Sequence, residues 1–227
     1  VLVYILIPSP SLLQRMTGAI IASFIGSMVF FYLLRNIKLK SSLFVPIVGI
    51  MLGAVISAVS TFIGLEFNMT QVIEVWFQGS FAPVQRGRYE YLFVIILITI
   101  AIYRYADKLT IAGLGEDITT NLGLNYNQII LRANILIAIA CGIVAAVIGN
   151  LPFLGLIVPN LVSLYRGDDL RANIPWVCLV SMIVMLAADI LSRTIIAPFE
   201  LPVSLILGSA GSIIFIIILL NQRRFKI

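Results

Sequence analysis

Few side chains in this sequence could do chemistry. There is no histidine among its 227 residues, which excludes imidazole acid–base catalysis and imidazole metal ligation together. The ten Asp and Glu do not gather within any apolar run. No G-x-S-x-G elbow, H-E-x-x-H pair or phosphate-cradling P-loop is present. Catalysis on this chain is therefore not expected, nor is a bound metal or cofactor, and any ATP it uses must be hydrolysed on another polypeptide. Cys141 and Cys178 both lie in apolar runs without C-x-x-C spacing and read as packing residues.

The residues that stand out are polar groups in apolar surroundings, which are costly in lipid and so are candidates for function. Asp189 and Arg193 are four apart, on one helix face and in the favoured acid-first order. They read either as a structural ion pair or as a pair whose arginine reaches the surface to meet an acidic partner. Pro159 removes one helical hydrogen bond, and Asn160 follows it. This predicts a broken or kinked helix that either lines a cavity or serves shape alone. Gly18, Ala22 and Gly26, and Gly49 with Gly53, repeat at intervals of four, the pattern of close helix packing.

The elements that must position these residues follow from composition. The chain is 61% hydrophobic and 11% charged, against roughly 25% charged residues in soluble domains. Its mean hydropathy of +1.11 calls for lipid as the solvent. Apolar runs cover 1–7, 16–34, 43–65, 91–103, 129–148, 153–165, 174–191 and 203–220. At roughly 20 residues per crossing, they predict one all-α, polytopic transmembrane bundle over 1–227, with about seven spans and the end of another. The chain opens inside an apolar stretch without Met or a signal-peptide pattern, and the expectation is that earlier spans are missing.

A net charge of +5 does not mean nucleic acid here, because the Lys and Arg are scattered among short breaks rather than set in a stripe. Breaks carrying Arg35, Lys38 and Lys40, Arg104 and Lys108, Arg166 and Arg171, and Arg223, Arg224 and Lys226 recur at every second loop. By the positive-inside rule these face the cytoplasm, and so does the C-terminus. Glu66, Glu74, Glu90 and Glu200 fall on the opposite side, along with Arg15, Arg86, Arg88 and Arg193. Residues 69–78 read as an amphipathic helix at the outer interface. Residues 110–126 are polar and glycine-punctuated, with Thr110 and the Glu116-Asp117 pair as helix-start signals, and predict a short helix on the inner face.

The run from Gly149 through Pro152, Gly155 and Pro159 to Asn160, followed by Arg166-Gly167-Asp168-Asp169-Leu170-Arg171, closely resembles the FecCD-type permeases of cobalamin and iron-siderophore ABC importers. Leu114-Gly115-Glu116 with Leu122-Gly123 resembles that family's cytoplasmic coupling segment, and Ala187-Ala188-Asp189 through Arg193 to Glu200-Leu201-Pro202-Val203 its region before the last span. The family commonly has Val-Pro-His where this chain reads Val158-Pro159-Asn160, so no role of that His carries over. Trp76 to Phe81 and Arg86 to Glu90 resemble the catecholate-siderophore branch.

The resemblance implies the fold of a type II ABC importer permease in the bacterial inner membrane. It implies two permease subunits, like or unlike, enclosing a path for ferric siderophore, with two cytoplasmic ATPase subunits and an extracytoplasmic siderophore-binding protein as partners. Leu114, Gly115, Glu116, Asp117, Leu122 and Gly123 would contact the ATPase. Gly49 and Gly53 would lie on the pore helix, with Ser41 and Ser42 at its gate or merely capping it. Arg193, Arg86 and Arg88 would receive carboxylates of the binding protein, bidentate partners that guanidinium suits. A secondary transporter driven by an ion gradient is the alternative, but it needs an acidic residue in mid-span to carry the ion, and Asp189 already has Arg193 beside it.

Overall fold

A computed structural model describes residues 10–36 and 44–222, together with Val3 and Ile7. From residue 10 onward the described residues form nine α-helices and one 3₁₀ turn, with no strand among them. The helices are α1 (Leu12–Asn36), α2 (Phe44–Glu66), α3 (Thr70–Phe77), α4 (Phe93–Ala112), α5 (Glu116–Asn121), α6 (Tyr126–Val147), α7 (Leu154–Arg166), α8 (Leu170–Thr194) and α9 (Val203–Gln222). The 3₁₀ turn, Tyr89–Leu92, leads into α4.

Each apolar run from residue 16 onward is one helix, because lipid leaves the backbone no other partner for its N–H and C=O groups. Most of the run at 1–7, and Ser41 and Ser42, expected at a gate or a helix cap, lie outside the described residues. Among the described residues α1, α2, α6 and α8 are long and apolar enough to cross a membrane. The 13 residues of α7 extend about 20 Å, short of a bilayer core of about 30 Å. Helix α4 runs nine residues past the predicted end of its apolar run, to Ala112, and carries Arg104, Asp107 and Lys108 in that added length. The cause is local: nothing between Tyr103 and Ala112 breaks a helix, and glycine first occurs at Gly113.

Large side chains such as Ile50, Phe62, Leu97 and Ile183 are more than half exposed, the surface expected of a protein whose solvent is lipid. Small residues recur among the buried positions, Ala106, Ala138, Ala146, Val158, Ala188 and Val203, beside larger ones such as Ile98, Ile129 and Leu207. Membrane helices gain little from hiding bulk and much from close approach, so small residues mark their contacts.

The chain divides into two compact units, one comprising Val1–Phe77 with Leu131–Val147, the other Gln78–Ile130 with Ile148–Ile227. In the first, α2 packs on α1 and on α3. A Cβ added at Gly142 would lie 2.7 Å from Ile20 N and Cα, so the backbones of α6 and α1 nearly touch there. The four-residue glycine patterns read from the sequence behave unequally: Gly18 lies against Val3, whereas a Cβ at Gly26 or Gly53 meets nothing within 4 Å. In the second unit α8 is the hub, packed against α4, α7 and α9.

Candidate functional site

The singled-out residues of the second unit collect at its two ends. At one end α4 stops, α5 follows, and α7 turns into α8. Helix α5 is only six residues long, too short to persist alone, and its ends are made by two glycines. Gly115, at φ +111°, is its N-cap, and Gly123, at φ +77°, ends it, conformations that side chains with a Cβ avoid. Leu124 N donates to Thr119 O at 3.1 Å and Gly123 N to Thr120 O at 2.9 Å, a Schellman closure. Glu116 and Asp117 occupy the first turn, where acidic residues favour the helix dipole. Thr110, read as a helix start, belongs instead to the last turns of α4, its hydroxyl donating to Ala106 O at 3.0 Å. A glycine able to take positive φ starts α5 where a side-chain cap was expected.

Thr119 holds α5 down. It is fully buried, and its hydroxyl lies 2.7 Å from Gly115 O and 3.2 Å from Ile111 O of α4. Flanking it, Leu114, Ile118 and Leu122, which stand before, within and just after α5, are 62%, 46% and 61% exposed. An open groove of about 420 Å³ runs beside them, lined by Glu116, Thr120, Gly123, Leu124, Asn125, Tyr126 and Asn127. Three exposed apolar residues thus lie beside two acidic ones along this short helix and its ends.

The α7–α8 turn sits at the same end. Gly167, at φ +81°, closes α7 with its N–H on Ser163 O at 2.8 Å. Asp169 then caps α8, accepting from Arg171 N at 3.0 Å and Ala172 N at 3.3 Å. Asn173, buried, donates to Gly167 O. Arg171 pairs with Asp107 of α4, and Arg166 stacks on Trp176 with its guanidinium 4.8 Å from the ring centroid.

At the opposite end, residues 78–81 form a strap threaded between the 148–151 loop and the start of α9. Ser80 N donates to Ile148 O, and Ser204 N to Gly79 O, both at 3.0 Å. A Cβ on Gly79 would lie 2.2 Å from Asn150 O, which is why glycine is there. Phe81 and Leu151 pack on the buried cluster of Ala188, Val203 and Leu207. Beside this platform Arg193 Nε lies 3.1 Å from Asp189 Oδ2 and its Nη1 3.1 Å from Glu200 Oε1. The arginine thus bridges two carboxylates of its own chain and stays 44% exposed. Arg86 is exposed and Arg88 half-buried on the 82–88 turns, which Glu90 braces by accepting from Gly87 N at 2.9 Å.

Helix α7 continues through Pro159, so the feature read there is a missing rung, not an interruption of the chain. Asn160 Nδ2 donates to Leu156 O at 2.6 Å. Gly49 and Gly53 lie along α2 in the first unit.

Sequence reasoning passed over Thr119, the Asp107–Arg171 pair and Asn134. The last is buried in α6 with neither side-chain polar atom hydrogen-bonded among the described residues. A lone Asn amid apolar residues was its signal. Asp107 and Arg171 are 64 residues apart, and no local pattern relates them.

Comparison with known proteins adds an independent line. The model of the FecCD transport family matches residues 1–221. The chain is 67% identical to the petrobactin import system permease protein FatD of Bacillus anthracis over 222 residues, covering 98% of this chain and 66% of that protein. It is 40% identical to the petrobactin import system permease protein YclN of Bacillus subtilis, covering 97% and 70%. It spans about two thirds of the length of these relatives. A solved inward-facing metal-chelate type ABC transporter superposes with a TM-score of 0.77 at 23% identity, over 93% of this chain and 68% of that one, a likeness of fold.

Proposed function

Since the chain belongs to the FecCD transport family, we propose that it is a membrane-spanning permease subunit of an ABC importer and carries a ferric siderophore across the bacterial inner membrane. Both Bacillus relatives are named for petrobactin import, which makes iron-loaded petrobactin the first substrate to test. The whole chain then acts as one permease domain, with ATP hydrolysed on separate cytoplasmic subunits and a second permease subunit, like or unlike, completing the path.

The observation that carries this reading is the set of exposed apolar side chains along α5. Leu114, Ile118 and Leu122 are exposed along α5 and its two ends while Thr119 anchors the helix to α4, next to the acidic pair Glu116-Asp117. Residues 110–126 are then the coupling segment, and their contact turns ATPase closure into helix movement, a rigid-body kind of switch. At the other end Arg193, Arg86 and Arg88 offer guanidinium groups to carboxylates of the extracytoplasmic binding protein. Gly49 and Gly53 of α2 belong to the pore.

The test is uptake of radioactive ferric petrobactin in cells that carry the permease with its ATPase and binding protein, comparing wild type with Glu116→Arg and Leu122→Asp. Both positions are exposed, so both variants should reach the membrane and lose ATP-dependent uptake by about ten-fold or more, the loss typical of a charge forced into an interface centre. Uptake that persists without the ATPase and collapses with the proton gradient would sink the importer reading.

A further inference from the structure

Tyr103, Asp107 and Ile111 succeed one another at intervals of four along α4 and so share one face of it. The last receives α5: the buried Thr119 hydroxyl lies 3.2 Å from Ile111 O. The first two receive α8: Arg171 Nη1 donates to Asp107 Oδ2, and its guanidinium lies 5.4 Å from the Tyr103 ring centroid. The end of α4 thus holds both α5, through the Ile111 carbonyl, and the first turn of α8, through the Asp107 and Tyr103 side chains.

Arg171 is oddly placed for a residue with only a local role. It sits in the first turn of α8, where unpaired N–H groups make a cation unfavourable. That turn is already completed by Asp169, which accepts from Arg171 N and Ala172 N, and by Asn173 on Gly167 O. The helix start needs nothing from the guanidinium, which reaches across to α4 instead. The pair is about half exposed, 47% on Arg171 and 58% on Asp107. Such a pair is a weak staple of stability, and for the same reason it can be broken and remade within a cycle.

We propose that the clasp of Arg171 on Asp107 and Tyr103 is the link that passes displacement of α5 through the end of α4 to α8, which makes Asp107 and Arg171 positioning residues of the transport cycle. The proposal rests on the reading of α5 as the ATPase-contacting segment. Helix α8 suits the part because it packs on α4, α7 and α9 and carries Asp189 and Arg193 near its other end. One continuous helix, running through Pro175, therefore joins the clasp to the end where the binding protein would dock.

The experiment reconstitutes the permease in liposomes with its ATPase and binding protein, and reads ferric petrobactin moved and ATP hydrolysed in the same sample. Asp107→Asn and Arg171→Gln should each lower transport per ATP by about five-fold or more, the low end of typical coupling between sites. Hydrolysis and the amount of assembled complex should stay at wild-type levels. The exchanged pair, Asp107→Arg with Arg171→Asp, should recover most of the loss, as a double-mutant cycle requires of a direct contact. The clasp is overturned if both single variants keep transport per ATP within about two-fold of wild type, the scale of an exposed pair with no further role. It is equally overturned if assembly and hydrolysis fall in step with uptake, or if the exchanged pair does no better than the singles. A wild-type complex whose uptake is unlinked to hydrolysis removes the permease reading itself, whereas linked uptake in wild type and variants alike removes only the clasp.

Discussion

Gly79 and Arg193 show how much a single position decides at the Arg193 end. An alanine at Gly79 would put its Cβ 2.2 Å from Asn150 O and 3.0 Å from Asn150 C, backbone atoms that cannot swing aside. Gly79→Ala should lower the unfolding temperature in detergent, at a cost of about 1–3 kcal/mol. Gly53→Ala, with nothing within 4 Å of the new methyl, should leave it level or raise it by up to about 1 kcal/mol, since alanine favours a helix interior. Equal behaviour of the two would mean that the 78–81 strap is not wedged against the 148–151 loop. Arg193 works through charge instead. It is 44% exposed and shared between Asp189 and Glu200, so Arg193→Ala should cost only about 0–1 kcal/mol of stability. If it docks the binding protein, the same change should weaken capture by about ten-fold or more in nanodiscs, whereas Glu200→Gln, which frees one edge of the guanidinium, should not weaken it. Loss of capture in both variants would assign Arg193 to the ion pair alone.

Helix α5 depends on a residue that its own sequence pattern did not mark. Thr119→Val keeps the volume and removes a hydroxyl from a fully buried site, leaving Ile111 O and Gly115 O without it. The expected cost is about 1–2 kcal/mol, felt locally, and should appear as faster hydrogen exchange over residues 116–121 with the rest of unit two unchanged. Exchange that speeds up throughout the unit would make Thr119 a general core residue rather than the anchor of α5. The elements were legible where lipid dictates them: an apolar run of membrane length has to become a helix, and each described run did. The end of α4 was not legible, because Arg104, Asp107 and Lys108 signal the end of an apolar run but not of a helix. Of the two start signals for α5, the Glu116-Asp117 pair does lie in its first turn, whereas Thr110 has the side chain of a cap yet belongs to α4, and Gly115, with no side chain, performs the turn.

At the scale of the whole molecule the sequence offers an expectation about sides and none about these contacts. Glycine-punctuated loops and their charges can be read in order along the chain, whereas the pairing of Asp107 with Arg171 or the strap of 78–81 on 204 arises only when distant segments meet. Sidedness is therefore the whole-molecule property most open to a direct check. In the second unit the end of α4 and the helix ends flanking the α7–α8 turn carry Arg104, Lys108, Arg166 and Arg171, while the segments of its other end carry Glu90 and Glu200 besides their arginines. Lys and Arg in short loops resist translocation, and acidic residues contribute little, so α5 should face the cytoplasm and the 82–88 turns the exterior. Cys141 and Cys178 can be replaced by alanine, and single cysteines placed at Ala82 or Asn121, both exposed. In intact protoplasts a membrane-impermeant maleimide should label Ala82→Cys and leave Asn121→Cys untouched until the membrane is opened. The reverse pattern would put α5 outside, beyond the reach of any cytoplasmic ATPase, and would remove the coupling role of α5 and the clasp together, while labelling of both in intact cells would mean that α4 does not carry the chain across the membrane.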